Sequence, residues 1–204
     1  MAGETAGLDT LFRRRSFSRL GEPAPSDEEL RTILKAAAAA PDHGELRPWR
    51  FVVIRGAAKE AFGEVLAEAY LQRVAAAGAE PVPAKLEKDR TKMGRAPLVV
   101  AICAVHRHDR RIPWDDQMGA AYAAAQNALL AATALGYGSM WRTGDIVSDA
   151  YVKRALGLSD HDGIAGFLYF GTPHHDDRKP PHDPDLAGLV EEWQPPAEGF
   201  PLRG

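Results

Sequence analysis

A cluster of cations and hydroxyls lies near the start of the chain, in the stretch RRRSFSR at residues 13–19. Guanidinium groups and serine hydroxyls bind phosphate monoesters through short, charge-assisted hydrogen bonds. The alternative is a solvated helix end, because cations at a helix C-terminus also interact favourably with the helix dipole. The cluster alone therefore indicates an anion without deciding between these two interpretations.

Three further segments combine polar, aromatic and glycine residues at the predicted ends of elements. They are PDHGELRPW at 41–49, GSMWRTGD at 138–145 and GFLYFGTP at 166–173. Trp49 and Trp141 suit contact with a flat ring, although each also suits a core position. A ligand that has both a phosphate and a flat polar ring would engage all four segments. Nucleotides and flavins have both parts.

Composition and local pattern limit the class of protein. The 204 residues carry a formal net charge of −3, which argues against a dedicated nucleic-acid binder and leaves only an arginine-led contact as a weak alternative. The alanine-rich stretch 118–135 has Gln126 and Asn127 at its centre, which favours a buried helix over a membrane span. The single Cys103 and an N-terminus without a signal-peptide pattern predict a cytoplasmic protein without a membrane partner.

The sequence motifs give little support for catalysis by side chains or for metal binding. The sequence contains no G-x-S-x-G elbow, no P-loop and no G-x-G-x-x-G after a strand. Histidines near acidic residues are His106, His108, His174, His175 and His182. Their spacing, including that of the first two beside Asp109, fits no regular metal site, and we expect no metal. Cys103 lies in an apolar run and is interpreted as a small buried residue.

Hydrophobic periodicity predicts helices that alternate with strands. The predicted helices are 4–15, one capped by Ser26 with Glu29 in a capping box and ended by Pro41, 57–77, 83–94, one from Pro113 to Gly136, and one capped by Ser148 that runs to Leu156. The predicted strands are 51–54, buried on both faces, then 96–105, 138–141 and 163–173. We expect the charged helix 83–94 to be surface or lid material.

Together these pieces resemble the FMN-dependent nitroreductase family, and closely its compact bacterial NAD(P)H nitroreductase branch. The resemblance is carried, in family order, by residues 13–54, 96–104, 113–144 and 166–173. It implies an α+β fold with three α/β/α layers and a central, mostly antiparallel sheet. It also implies a homodimer with flavins at its interface. The chain would be one domain, 1–204, with an extended tail at 174–204 that packs on the partner subunit.

The resemblance also implies roles for individual residues. Arg14 and Ser16 match the motif that holds the FMN phosphate, with Arg15 beside them. Trp141, Arg142 and Thr143 match the segment that meets the flavin and its phosphate. Pro41 and His43 match a turn that meets the flavin from the partner subunit.

Two positions depart from the family pattern. Many relatives have a lysine near the flavin N1–O2 edge where this chain has Ser18, and a glutamine where it has Arg47. Arg19 and Arg47 are therefore both candidates for a cation at that edge, and Arg47 is equally a candidate surface residue.

No catalytic side chain is expected, because flavin N5 would take hydride from NAD(P)H and pass it to a nitroaromatic or other electron-poor small molecule in a ping-pong sequence. One alternative is a different reaction on the same cofactor, such as dehydrogenation or dehalogenation. Another is a flavin-binding protein without turnover. The alanines of the central helix favour either close contact between subunits or packing within one chain: Ala120, Ala121, Ala124, Ala125, Ala128 and Ala132.

Overall fold

The computed structural model describes residues 6–108, 111–174, 180–181 and 183–195. In this part of the chain the helices are α1 Ala6–Arg13, α2 Asp27–Ala38, α3 Ala57–Ala76, α4 Pro83–Arg90, α5 Trp114–Ala134, α6 Asp145–Ser148 and α7 Ala150–Ala155. The strands are β1 Trp49–Arg55, β2 Leu98–Ala104, β3 Gly138–Arg142 and β4 Gly163–Gly171. Short 3₁₀ helices lie at His43–Glu45 and Lys92–Arg95.

The four strands form one sheet in the order β1-β2-β4-β3, and every pair of neighbours is antiparallel. Ala101 of β2 lies opposite Val52 on one side and Phe167 on the other. β2 and β4 are buried along their whole length because each has a strand on both sides and helices on both faces. The predicted α+β fold with an antiparallel sheet is confirmed.

Helices cover both faces of the sheet and give the predicted three layers. On one face α2 and α5 pack against inward residues such as Val100, Ile102 and Leu168. On the other face α3, α7 and the Lys92–Arg95 turn enclose a core around Phe167 and Tyr169. Burial of these apolar side chains is the main stabilising contribution to the fold.

The prediction that strand 51–54 is buried on both faces is wrong. β1 is an edge strand that pairs only with β2, and its residues are mostly half-buried. The Val53 side chain remains 37% exposed. A run of apolar residues does not distinguish an edge strand from a central one, because strand order depends on distant pairing.

Helix boundaries agree with the sequence at some ends and differ at others. The Ser26–Glu29 capping box is present at the start of α2. That helix ends at Ala38, before the predicted stop at Pro41. Ser148 does not cap the helix that follows it; Asp149 does, and its carboxylate accepts hydrogen bonds from the Tyr151 and Val152 amides. Aspartate and serine cap equally well, so adjacent candidates compete.

The predicted helix 83–94 divides into α4 and the Lys92–Arg95 turn, and most of α4 lies at the surface, as expected. It packs on α3 at Gly63, where a Cβ would lie 2.0 Å from the Arg90 carbonyl oxygen. Glycine therefore permits the close approach of backbone to helix. The segment is a fixed part of the helical layer.

The small residues of α5 pack within the chain. The six alanines proposed as a contact face are each at most 5% exposed and lie against the sheet and α2. Asn127 donates a hydrogen bond to the Ala36 carbonyl oxygen of α2 at 3.2 Å. The alternative of intramolecular packing therefore holds for this face. None of the helices in the described part of the chain has the length and apolar character needed to cross a bilayer.

Candidate functional site

The RRRS segment leaves α1 and runs along the outer edge of β3. Ser16 forms an isolated parallel bridge with Ser139, and the Phe17 amide donates to the Ser139 carbonyl oxygen at 3.1 Å. The side chain of Ser16 is exposed and that of Arg14 is half-buried. Within the described residues, Arg14 has no acidic partner. Two segments that lie more than a hundred residues apart in sequence thus share one sheet edge.

Arg15 has a different set of contacts from Arg14. Its guanidinium donates to the carbonyl oxygens of Phe12 at 2.8 Å, of Arg14 at 2.9 Å, and of Pro180. These bonds tie the end of α1 to the C-terminal segment. Much of the donor capacity of Arg15 is therefore used within the chain, which leaves Arg14 and Ser16 as the more available pair for an anion.

Trp141 is held firmly at the middle of β3. Its indole packs against Gly166, where a Cβ would lie 2.1 Å from Nε1. The Nε1–H donates to the Ala165 carbonyl oxygen at 3.1 Å, and the ring faces Tyr122 with centroids 6.2 Å apart. Thr143 follows β3 and is exposed. Glycine at 166 is thus required by the approach of the indole.

Arg142 lies on the opposite face of β3, with its guanidinium carbon 5.7 Å from the centroid of the Tyr169 ring. Its Nε is buried and has no hydrogen-bond partner in the described part of the chain. Burial lowers the pKa of Arg142 from its ordinary value, and the positive charge of Arg95 lowers it further. A half-buried guanidinium with a buried, unpartnered Nε is unusual, because burial of a polar group is costly unless it is hydrogen-bonded.

Sequence reasoning missed Arg95. It ends the Lys92–Arg95 turn, in the segment interpreted as surface or lid material. A signal was present, since Arg95 directly precedes the buried strand and stands at the end of an element, as the other segments do. Its proximity to Arg142, distant in sequence, is visible only in the fold.

The turn at 41–47 lies at the other end of α5. His43 Nδ1 is 2.8 Å from a carboxylate oxygen of Asp116 in the first turn of that helix. Pro41 and His43 are exposed. Arg47 has a φ of +47°, its amide donates to Asp42, and its side chain is exposed. The exposure of Arg47 in one chain is compatible with both interpretations of this residue.

Within one chain, the two groups of predicted site residues lie near opposite ends of α5. Arg13, Arg15 and Phe17 share a cavity of about 360 Å³ with Thr133 and other residues near the C-terminal end of α5. The His43 turn contacts Asp116 at the N-terminal end. At a rise of about 1.5 Å per residue, the helix from Asp116 to Thr133 spans about 25 Å.

The surroundings of Cys103 and of the histidines around residue 106 indicate neither a nucleophile nor a metal site among the described residues. Cys103 is fully buried, and burial raises the pKa of its thiol to about 12, so no thiolate forms at neutral pH. The rings of His106 and His108 lie 4.6 Å apart and near His161. No group of three His, Cys, Asp or Glu residues in the described ranges is arranged to hold a metal. Residues 109, 175 and 182 lie outside those ranges.

Taken together, fold and site define an α+β protein of three layers whose sheet edge carries arginines and a serine suited to an anionic ligand. The chain belongs to the nitroreductase family, a family of oxidoreductases, since the model named "Nitroreductase family" matches residues 11–172.

Particular relatives agree with this assignment. The chain is 40% identical over 167 residues to the protein named "Putative NAD(P)H nitroreductase YdjA" of Escherichia coli strain K12, covering 81% of this chain and 87% of that protein. It superimposes with a TM-score of 0.75 on a nitroreductase-like family protein from Bacillus cereus, at 20% identity and 92% and 96% coverage of the two chains. A nitroreductase from Desulfovibrio desulfuricans, described as putative and in complex with FMN, gives a TM-score of 0.68 at 27% identity, with 93% and 98% coverage.

Proposed function

We propose that this chain is an FMN-dependent oxidoreductase that takes hydride from NAD(P)H and passes it, in a ping-pong sequence, to nitroaromatic or related electron-poor acceptors. The observation that carries the proposal is the pair of arginines at β3, Arg14 and Arg142, neither of which has an acidic partner in the described part of the chain. Membership of the nitroreductase family indicates an oxidation–reduction reaction. The FMN bound to the Desulfovibrio relative supplies the ligand class.

The residues at this edge fit FMN. The buried Nε of Arg142 and the buried Oγ of Ser139 both lack hydrogen-bond partners among the described residues. Arg14 and Ser16 would hold the phosphate, with Arg15 completing the loop around them through its carbonyl contacts. Charge-assisted hydrogen bonds from guanidinium to phosphate are among the strong polar contacts of proteins.

The chemistry is expected to come from the cofactor rather than from a side chain. When bound, FMN supplies a ring nitrogen, N5, that accepts and donates hydride. The protein's part is to position the ring and exclude water. Trp141, locked by its bond to Ala165, would present a fixed surface to the ring, with Arg142 and Thr143 beside it.

A homodimer completes the proposed site. In one chain the His43 turn at Asp116 and the arginine-lined cavity at Thr133 lie near opposite ends of α5, about 25 Å apart along the helix. An antiparallel arrangement of two copies would bring the turn of one beside the Arg14 edge of the other. The outward side of α5 supports such a contact, since Tyr122 is 46% exposed there. The apolar tail residues Leu186 and Leu189 are 62% and 75% exposed and suit burial against a partner.

Several expectations from the sequence stay predictions. They are the single domain spanning 1–204, the packing of the 174–204 tail on a partner, and the cytoplasmic location. Arg47 and Arg19 stay open as cations for the flavin N1–O2 edge. Both side chains are exposed in one chain, so a role for Arg47 there requires the partner's turn to reach the flavin.

The proposed function is tested by anaerobic stopped-flow mixing of FMN-loaded protein with NADH and with NADPH. We expect one or both to bleach the flavin absorbance. A second mix with a nitroaromatic, a quinone or a halogenated phenol should restore it and identify the acceptor class. A flavin that stays oxidised with both nucleotides would instead support a binding protein without turnover. Protein that takes up no FMN would contradict the proposal outright.

A further inference from the structure

The segment at 83–95 is anchored by a neutralised charge cluster. Asp89 is fully buried, and its carboxylate lies 2.7 Å from the Lys85 ammonium and 2.5 Å from that of Lys92. Burial disfavours the charged form of Asp89, but the hydrogen bonds and charges of the two lysines outweigh it, and its pKa is lowered. The turn that follows is therefore fixed at its start by an ionic clamp.

The same turn is fixed at its end by the sheet. Met93 is 1% exposed, and its sulfur lies 3.5 Å from the Tyr169 hydroxyl. The Leu20 amide donates to the Arg95 carbonyl oxygen at 2.9 Å. Because Leu20 follows Ser16 by four residues, the chain that leaves the predicted phosphate residues runs directly to Arg95.

Arg142 lies over the Tyr169 ring, and Arg95 follows by two residues the Met93 whose sulfur contacts the hydroxyl of that ring. The positive charge of each acts on Tyr169, and that of Arg95 also acts on Arg142. No ion pair neutralises either guanidinium within the described residues. Both side chains are half-buried, where repulsion between like charges is stronger than in bulk water, and an anion beside the two groups would relieve it.

A basic cavity opens next to Arg95. It has a volume of about 440 Å³ and is lined by Arg19, Leu20, Thr91, Gly94, Arg95 and His174. No acidic side chain lines it. An anion therefore has access to Arg95 from the surface.

We propose that Arg95 is a further binding residue of the flavin site, where it and Arg142 together hold an oxyanion of the bound cofactor. The inference rests on the proposed function. The oxyanion is either the terminal phosphate or the pyrimidine edge of the ring, which gains negative charge on reduction. A planar guanidinium matches both, because it presents parallel donors to two oxygens or to an oxygen and a nitrogen.

The test compares Arg95→Met with the control Arg90→Met, which removes an arginine of the same segment that is ion-paired with Glu64 and Glu87. Affinities for FMN and for riboflavin are measured by fluorescence titration, and the two-electron midpoint potential of bound flavin by dye equilibration. We expect Arg95→Met to weaken FMN binding at least tenfold or to lower the midpoint potential by about 30 mV, the shift that corresponds to a tenfold change in relative affinity for a two-electron couple. Arg95→Lys should recover part of either effect.

The terminal phosphate and the pyrimidine edge of the ring predict different changes in these three measurements. Loss of FMN affinity with unchanged riboflavin affinity identifies the phosphate, whereas a lowered potential with both flavins identifies the ring. Values for Arg95→Met equal to those of Arg90→Met in all three measurements would overturn the proposal. If Arg95→Met does not fold, Arg95→Gln keeps a hydrogen-bond donor on a shorter side chain while removing the charge. Wild-type protein that binds no flavin would defeat the proposed function itself, which separates that failure from this one.

Discussion

The polar residues near the two ends of α5 differ in whether they have a partner of opposite charge. At the N-terminal end His43 is paired with Asp116. Beside β3, towards the C-terminal end, Arg14 and Arg142 have no acidic partner among the described residues. Paired groups are explained by the fold that contains them. Cations without an acidic partner at a strand edge suit an anionic ligand, so the proposed cofactor site is expected at β3, and the role proposed there for the His43 turn would require a second chain.

The largest effect is expected from mixed dimers that separate the two ends. Arg14→Ala and His43→Ala chains, co-expressed with different tags, should form a dimer with one doubly altered site and one unaltered site. Flavin titration should then show half of the sites with wild-type affinity, a class that neither parent homodimer has. Sites built within single chains would each carry one defect, and no wild-type class would be found.

Arg14 and Arg15 provide the next contrast. Arg14→Ala should weaken FMN binding about tenfold to a hundredfold, since a hydrogen bond to a charged group contributes roughly 1.5–3 kcal/mol. Arg15→Ala should have a smaller effect on affinity, because its donors are bonded to carbonyl oxygens of the chain. Isothermal titration of both variants measures this, with Arg90→Ala, an arginine away from the cavity that Arg15 lines, as control. Equal losses for Arg14→Ala and Arg90→Ala would remove the phosphate role from Arg14.

Removal of a buried charge that is paired within the chain should destabilise the fold. Asp89→Asn should lower the free energy of unfolding by about 2 kcal/mol, below the range for fully buried pairs because Lys85 is partly solvated. The pKa of Asp89 is lowered from its ordinary value of 3.8, so its contribution is present above that pH and is lost as the pH falls below it. Urea unfolding between pH 3 and pH 7 should show this acid dependence in wild type and a weaker one in Asp89→Asn. An unchanged acid dependence would contradict the ionic clamp.

The smallest effect is expected when an unpaired cation is removed. Without flavin, Arg142→Met should leave the free energy of unfolding within about 1 kcal/mol of wild type, since relief of burial and of repulsion from Arg95 offsets the lost contact with Tyr169. The same variant should bind FMN more weakly. Urea unfolding of the apoprotein decides the first part. A loss well above that range would mean that Arg142 is part of the fold and not held for a ligand.

Much of the fold was predictable because it depends on local pattern. The Ser26 capping box, the buried β2 and β4, and the long α5 follow from spacing and caps that neighbouring residues determine. β1 was wrongly predicted as buried on both faces, since its place at the sheet edge depends on β2 pairing with β4.

The candidate site was predictable only in part. Arg14, Ser16 and the 141–143 segment stand in recognisable motifs, and the structure brings them to one edge. Arg95 stands in no such motif. Its relation to Arg142 depends on the anchoring of 83–95 at Asp89 and on contact with Tyr169, neither of which local spacing reveals.

The position of Cys103 has a practical consequence. The thiol lies near the end of β2, at the irregularity where that strand shifts register against β4, and it is fully buried in the core on one face of the sheet. It is the only cysteine in the sequence. A thiol reagent therefore reacts only when this part of the core opens, and the labelling rate of the native protein reports how often it does so, without any engineered probe.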